Sequence, residues 1–155
     1  GEEVFRLTLK ERLMQDFKEA LKSRDEVRKN TSSFARAAIK QVEVDTRKEL
    51  QDEDIIPILA KQVKMRKDAL GDFERGGRTD LANAYKAEIE VLSEYLPQQL
   101  TPREILEVVT ATAAELGIEG GRANMGKLMG AVMPKVKGVA DGGDVKKILE
   151  EFLGS

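Results

Sequence analysis

The chain has 155 residues and contains no cysteine, no histidine and no tryptophan. Without cysteine there is no disulfide, no thiolate zinc site and no thiol nucleophile. Without histidine neither a Ser–His nor a Cys–His pair can be assembled, and the side chain that most readily moves protons near neutral pH is missing. Aromatic residues make up 5 % of the chain, too few for the stacking platforms that sequence-specific RNA readers use. No apolar run approaches the roughly 18 residues that a bilayer-spanning helix needs, and no signal peptide is visible. A cytoplasmic protein is therefore expected. Nucleotide fingerprints are missing as well. Gly117 to Gly121 is too short for a phosphate-binding loop and lacks its Lys-Ser/Thr ending.

Charged residues are 35 % and apolar residues 41 % of the chain, with a net charge of -2. That balance suits helices with one apolar stripe and charged outer faces. No convincing period-2 alternation occurs. Thr8-Leu9-Lys10-Glu11 is a capping box, and Leu9, Leu13, Phe17, Ala20 and Leu21 predict a first helix from about Leu9 to Ser23. Val27, Thr31, Phe34, Ala38 and Val42 predict a second, fading near Asp45 or Thr46. A third starts near Asp52 or Asp54, with Ile56, Leu59, Val63, Leu70 and Phe73 inward, and stops at Gly76-Gly77. Pro57 fits its first turn if Asp54 is the cap and kinks it if the helix begins at Asp52. Thr79 or Asp80 caps a fourth helix, with Leu81, Tyr85, Ile89, Leu92 and Leu96 inward.

Pro97 ends that run, and Thr101-Pro102-Arg103-Glu104 is the clearest helix start in the chain. Its stripe is Ile105, Val109, Ala113 and Leu116, closed by Gly117. A short helix follows on Met125, Leu128, Met129 and Val132, which recur at i, i+3, i+4 and i+7 and should end near Met133, before Pro134. Asp141 caps a last helix with Val145, Ile148, Leu149 and Phe152 inward. The expected fold is all-α: a four-helix N-terminal part over residues 1–97 and a small three-helix C-terminal domain over residues 98–155.

The segment from Met125 to Gly138 stands apart in charge. Between Glu119 and Asp141 there is no Asp or Glu, while Arg122, Lys127, Lys135 and Lys137 all fall there. In a chain of net negative charge this is a local reversal of sign, and such a surface suits a polyanion backbone better than a small-molecule pocket. Gly126, Gly130 and Gly138 would let a phosphate or ribose approach the main chain closely. The competing explanation is that the glycines permit tight packing and the lysines keep the helix soluble. Met125, Met129 and Met133 are most simply core fillers.

Four strings resemble a known family. Lys61-Gln62-Val63-Lys64-Met65-Arg66-Lys67-Asp68-Ala69, Gly77-Arg78-Thr79-Asp80-Leu81-Ala82, Glu94-Tyr95-Leu96-Pro97-Gln98-Gln99-Leu100 and the run Met125 to Gly138 followed by Ala140-Asp141-Gly142 look like the bacterial YqeY-like proteins, in that family's order and over nearly the whole chain. The C-terminal part is also similar to the tail of the B subunit of the glutamine-dependent aspartyl/glutamyl-tRNA amidotransferase. The resemblance implies a two-part helical protein whose C-terminal part contacts tRNA. It also implies a kinship label, carbon–nitrogen ligase with glutamine as amido-N-donor, for chemistry carried in the amidotransferase by domains this chain does not contain. The sequence departs from the family at Thr31-Ser32-Ser33-Phe34-Ala35 and at Asn83-Ala84-Tyr85, which bears on N-terminal packing and leaves the basic C-terminal segment untouched.

Other charged groups have a blander explanation. Lys61, Lys64, Arg66 and Lys67 form a second basic group, but Asp54 and Asp68 are close enough in sequence to pair with some of them. Arg24, Arg28, Lys29, Arg36 and Lys40 are likewise flanked by acids. Glu88, Glu90 and Glu94 invite a metal or acid–base reading, yet exposed helical glutamates are commonplace. No catalytic residue, cofactor or metal is therefore expected. The expectation is a non-catalytic tRNA-binding accessory module, using Arg122, Lys127, Lys135, Lys137, Gly126, Gly130 and Gly138. The alternative is a helical protein–protein adapter for a translation-related complex, such as an amidotransferase. A true ligase component dependent on other subunits is the third reading. Charged faces with no obvious apolar seam suggest a monomer.

Overall fold

In the computed structural model residues 7–155 are described, and all of their regular structure is helical. The chain folds as two compact units, one ending at Leu96 and one covering Pro97–Ser155.

The first unit holds four helices. Helix α1 (Leu9–Ser23) opens on the reciprocal cap the sequence predicts: the Glu11 amide donates to Thr8 Oγ1 at 3.2 Å and the Thr8 amide to Glu11 Oε1 at 3.0 Å. The Thr8 amide first, and the Thr8 side chain second, hold the Glu11 carboxyl below the usual carboxylate range. Helix α2 (Glu26–Thr46) starts at Asp25, whose Oδ1 accepts from the Arg28 amide. Arg24 and Arg47 close α1 and α2 in the left-handed region, at φ 59° and 55°, a conformation that costs a non-glycine residue on the order of 1 kcal/mol.

Two stripe assignments change in α2. Val27 and Phe34 point outward, Phe34 with 61 % exposure, while Thr31, Ser32, Ala35 and Ile39 are buried. The small side chains at Ser32 and Ala35 let neighbouring helices come close, and the Ser32 hydroxyl is satisfied within its own helix by donating to the Arg28 carbonyl at 2.6 Å. Helix propensity marks Ser32 as weak; its packing role is invisible to that criterion.

Helix α3 (Asp52–Arg75) begins at Asp52, so Pro57 lies inside it, in the second turn. The missing amide there forgoes one bond, to the Glu53 carbonyl, at an exposed position. Its buried residues are Ile55, Leu59 and Val63; Ile55 extends the expected stripe. Gly77, at φ 72°, supplies the reversal. Helix α4 (Thr79–Ser93) contains Thr79 in its first turn and has no side-chain cap, because the cap position is Arg78. The core joins Leu9 and Leu13 to Ala35, Ile39, Leu59, Val63, Leu92 and Tyr95.

A polar lock closes this unit around the Glu94-Tyr95 pair that follows α4. Arg28 grips Glu94 with two bonds, Nη1 to Oε2 at 2.6 Å and Nη2 to Oε1 at 3.1 Å. The Tyr95 hydroxyl donates to Asp16, and the Arg12 guanidinium lies 4.7 Å from the centre of the Tyr95 ring. One dipeptide therefore binds α1 and α2 together. Burial first, then the Asp16 hydrogen bond, push the Tyr95 phenol well above its ordinary value, so it stays a donor at every physiological pH.

The second unit holds α5 (Pro102–Leu116), a 3₁₀ turn (Arg122–Asn124), α6 (Met125–Val136) and α7 (Gly142–Leu153). Thr101 and Glu104 form the expected capping box, and Gly117 ends α5 at φ 70°. Asp141 caps α7 by accepting from the Gly143 and Asp144 amides. Val109, Leu128, Val132, Val136, Val145 and Leu149 are sealed from water. The chain ends of the unit are stitched by backbone bonds, Leu100 amide to Val139 carbonyl at 2.8 Å and Gly121 amide to Leu153 carbonyl at 2.9 Å. Helix α6 runs past Pro134 to Val136, three residues beyond the expected end. The exposed side of the helix carries the bond that Pro134 forgoes, and buried Val136 anchors the final turn.

The polar lock predicts an acid limb of stability. The Arg28 hydrogen bonds hold the Glu94 carboxyl below its ordinary value of 4.5. A depressed carboxylate stabilises the fold fully above its unfolded value and loses that contribution as pH falls through the folded one. Thermal unfolding of the intact chain should be flat above about pH 5 and decline below it, and Glu94→Gln should lower the plateau and shallow the decline. An unchanged pH profile in the variant would show that the lock contributes nothing.

Candidate nucleic-acid interface

The face of α6 opposite the core is nearly bare of side chains. Leu128, Val132 and Val136 point inward with no exposure, and Met125, Met129 and Met133 are half-buried against the same core. Helical spacing then leaves Gly126, Lys127, Gly130 and Pro134 on one outer strip, and all four are exposed. Met125, Met129 and Met133 act as the core fillers the sequence suggests.

Gly126 and Gly130 lie one turn apart, and a Cβ built on either meets nothing within 4 Å. The packing explanation for these two glycines therefore fails: no neighbour in the chain requires their absence of a side chain. Glycine within a helix costs on the order of 0.5–1 kcal/mol relative to alanine. At the same place Pro134 lacks the amide that would close a bond to the Gly130 carbonyl, four residues back. The strip thus offers main chain with nothing covering it and one acceptor oxygen without its helical donor.

The cations divide into two sets. Arg122, at the start of the 3₁₀ turn, Lys127, on the bare strip, and Lys137, just past the end of α6, are exposed and form no ion pair among the described residues. Lys135 is different. Its ammonium reaches across to α5, donating to Thr112 Oγ1 at 2.9 Å and to Glu115 Oε2 at 3.0 Å. Sequence distance hid this pair, since Glu115 is 20 residues away. Gly138 also differs from the other two glycines. At φ 82° it turns the chain out of α6, and its carbonyl accepts from Gln99 Nε2 at 2.9 Å. Lys146 and Lys147 on α7 are two further exposed cations of this unit, both without an ion pair among the described residues and neither singled out from the sequence. The signal available was their adjacency on a predicted helix between the inward Val145 and Ile148.

Several of the other charged groups singled out from the sequence are internally occupied. Arg66 is tied to Gln62 and lies 3.6 Å from Glu88 across α3 and α4. Glu94 is held by Arg28, and Lys29 pairs with Glu26 at 2.9 Å. Among the described residues no cluster of three or more carboxylates is placed to hold a metal ion. No described helix is long and apolar enough to cross a membrane.

Comparison with known proteins supplies kinship. A family model described as Yqey-like protein matches residues 10–153. A protein of the fungus Pyrenophora tritici-repentis named altered inheritance of mitochondria protein 41, mitochondrial, is 29% identical over 146 residues, covering 93% of this chain and 80% of its own length. The proteins of the same name from Kluyveromyces lactis and Candida glabrata are 31% and 35% identical, over 67% and 56% of this chain. The matched region spans about half the length of these two relatives, 56% and 48%. All three are fungal and mitochondrial by name, so these relatives do not bear out the bacterial membership expected from the motifs.

The open space at Gly130 has a direct consequence for stability. Gly130→Ala should raise the unfolding free energy by about 0.5–1 kcal/mol, measured by urea denaturation of the intact chain. A loss of stability would mean that the site is packed after all. Lys135→Ala should lower stability by up to about 1 kcal/mol, the range of an exposed ion pair.

Proposed function

The chain belongs to the YqeY-like proteins, and from that premise we propose that it is a non-catalytic accessory protein that binds tRNA through its C-terminal unit. The observation that carries this reading is the bare strip of α6, where Gly126 and Gly130 expose main chain to open space beside Lys127. A helix that forgoes stabilising side chains where nothing inside the chain demands it is shaped for something outside. A ribose–phosphate backbone fits both features. Lys127, Lys137 and Arg122 meet phosphates, and the Gly130 carbonyl accepts from a 2′-hydroxyl, the group that separates RNA from DNA. With few aromatics to stack on bases, recognition is by backbone and shape. The resemblance of the C-terminal motifs to the amidotransferase B-subunit tail, read from the sequence alone, is the reason for choosing tRNA as the RNA in question. The ligase label then describes ancestry, and the chain supplies a handle on the RNA. Its place of action is proposed as the cytoplasm; the mitochondrial names belong to the fungal relatives, and tRNA is at work in both compartments.

The test is fluorescence anisotropy of labelled tRNA across a salt series with the intact chain. Binding should fall steeply with salt, and each of Arg122→Ala, Lys127→Ala and Lys137→Ala should lower the log–log slope by up to about 0.9, the value for one phosphate contact on duplex DNA. Lys135→Ala should leave the slope nearly unchanged, because Glu115 already neutralises that ammonium. Gly126→Leu with Gly130→Leu should keep the fold and weaken binding by about tenfold or more, as expected when direct backbone contacts are blocked. No binding by the folded intact chain at about 50 mM salt would overturn the proposal.

A further inference from the structure

The α1–α2 hairpin carries most of the large hydrophobic side chains left exposed among the described residues. Six of the eight belong to the hairpin or directly precede it: Leu7 before α1, Met14 and Leu21 on α1, and Val27, Phe34 and Val44 on α2. Met14 and Leu21 are spaced by seven residues and so share one line along α1, and Leu7, just before the helix, lines the same surface beside Met14. Between the two helices runs a groove with a cavity volume of about 400 Å³. Leu13 and Met14 line it from α1, and Ser33 and Ala37, one turn apart on α2, form its low floor. Small residues on one side and a methionine on the other leave room for a helix laid along the hairpin.

The rim of this groove carries a biased set of free charges. Its two acids are already committed: Glu11 to the α1 cap, and Glu43 to Lys10 and to the Leu50 amide, the latter at 2.8 Å. Lys18 and Lys40 form no ion pair among the described residues, although the Lys40 charge helps hold the Glu43 carboxyl below the usual carboxylate range, and Arg36 lies over the Phe17 ring at 5.4 Å with no ion pair. With Lys10, Lys18, Arg36 and Lys40 against Glu11 and Glu43, the lining is net positive, and an apolar trough of that charge complements a helix with an apolar stripe and acidic flanks. A polynucleotide would leave the trough floor exposed to water.

We propose that the α1–α2 groove is a docking site for an acidic amphipathic helix of a partner protein. Leu7, Met14 and Leu21 and the small floor at Ser33 and Ala37 receive the apolar stripe, and Lys18, Arg36 and Lys40 pair with the carboxylates. The site lies in the first unit, and it stands on its own observations, independent of the tRNA surface on α6.

The test uses two helix-stapled fluorescent peptides of roughly four turns, the length of a typical groove-bound helix. Both carry leucine at i, i+3, i+4 and i+7; one has glutamate flanks and the other lysine flanks. The intact chain should bind the acidic peptide at least about tenfold more tightly than the basic one. Lys18→Glu with Lys40→Glu should reverse that preference, and Ala37→Gln, at an exposed position, should weaken binding by at least about fivefold by filling the floor. Circular dichroism of each variant confirms that the hairpin is intact, and amide chemical shifts of the intact chain should move around Met14 and Ala37. The proposal is overturned if neither peptide binds, if both bind equally, if shifts map elsewhere, if excess tRNA displaces the acidic peptide, or if gel filtration shows a second copy already covering the groove.

Discussion

The burial of Leu128, Val132 and Val136 is the constraint from which the functional geometry follows. These three side chains repeat every fourth residue and are sealed into the C-terminal core with Val109, Val145 and Leu149. Once they are inside, helical periodicity fixes the opposite face, and that face is Gly126, Lys127, Gly130 and Pro134. A leucine or valine side chain is worth roughly 1.5–3 kcal/mol when fully buried, so no local preference of the two glycines or of Pro134 competes with the stripe. The same logic explains the failure of the expected helix end at Met133. Proline removes one hydrogen bond, but Val136 lies beyond it and keeps the last turn in place.

In the N-terminal unit the corresponding constraint is polar. Arg28, Glu94, Tyr95, Asp16 and Arg12 draw the end of α4 onto α1 and α2, although these residues are 66 to 79 positions apart for the two principal contacts. The bidentate guanidinium–carboxylate geometry has directional requirements that an apolar contact lacks. It specifies the register in which the bundle closes, while the leucines and isoleucines beneath supply the burial. Glu94, an apparent candidate for acid–base work by residue type, is thereby accounted for as an architectural group. Glu88 is accounted for in the same way by its place beside Arg66.

Periodicity and capping chemistry made most of this fold legible. The ends of α1, the start of α5 and the turn at Gly76-Gly77 follow from residue types whose hydrogen-bonding preferences are local, and local rules suffice for local structure. Tertiary choices were not legible. Phe34 reads as core because it is large and correctly spaced, but the close approach of neighbouring helices selected Ser32 and Ala35 instead, leaving the ring outside. At the candidate site, sequence could find the stretch without acids and could not see Glu115 arriving from α5 to take up Lys135. Nor could it distinguish three glycines that look alike. Gly138 serves a chain reversal at positive φ, whereas Gly126 and Gly130 face empty space. That distinction needs coordinates, because it depends on what is not beside the residue.

The make-up of α6 also bears on how the C-terminal unit opens. Two glycines and a proline within twelve residues leave α6 with little intrinsic tendency to be helical, so its order is borrowed almost entirely from the core it covers. Amide exchange there should report sub-global opening at free energies well below that of the whole unit, with α5 and α7 more protected. A partner that seats on the bare strip would then act on the least stable cooperative segment. Its binding would appear as a slowing of exchange far beyond the residues touched, and the recognition surface would double as the unit's point of greatest compliance.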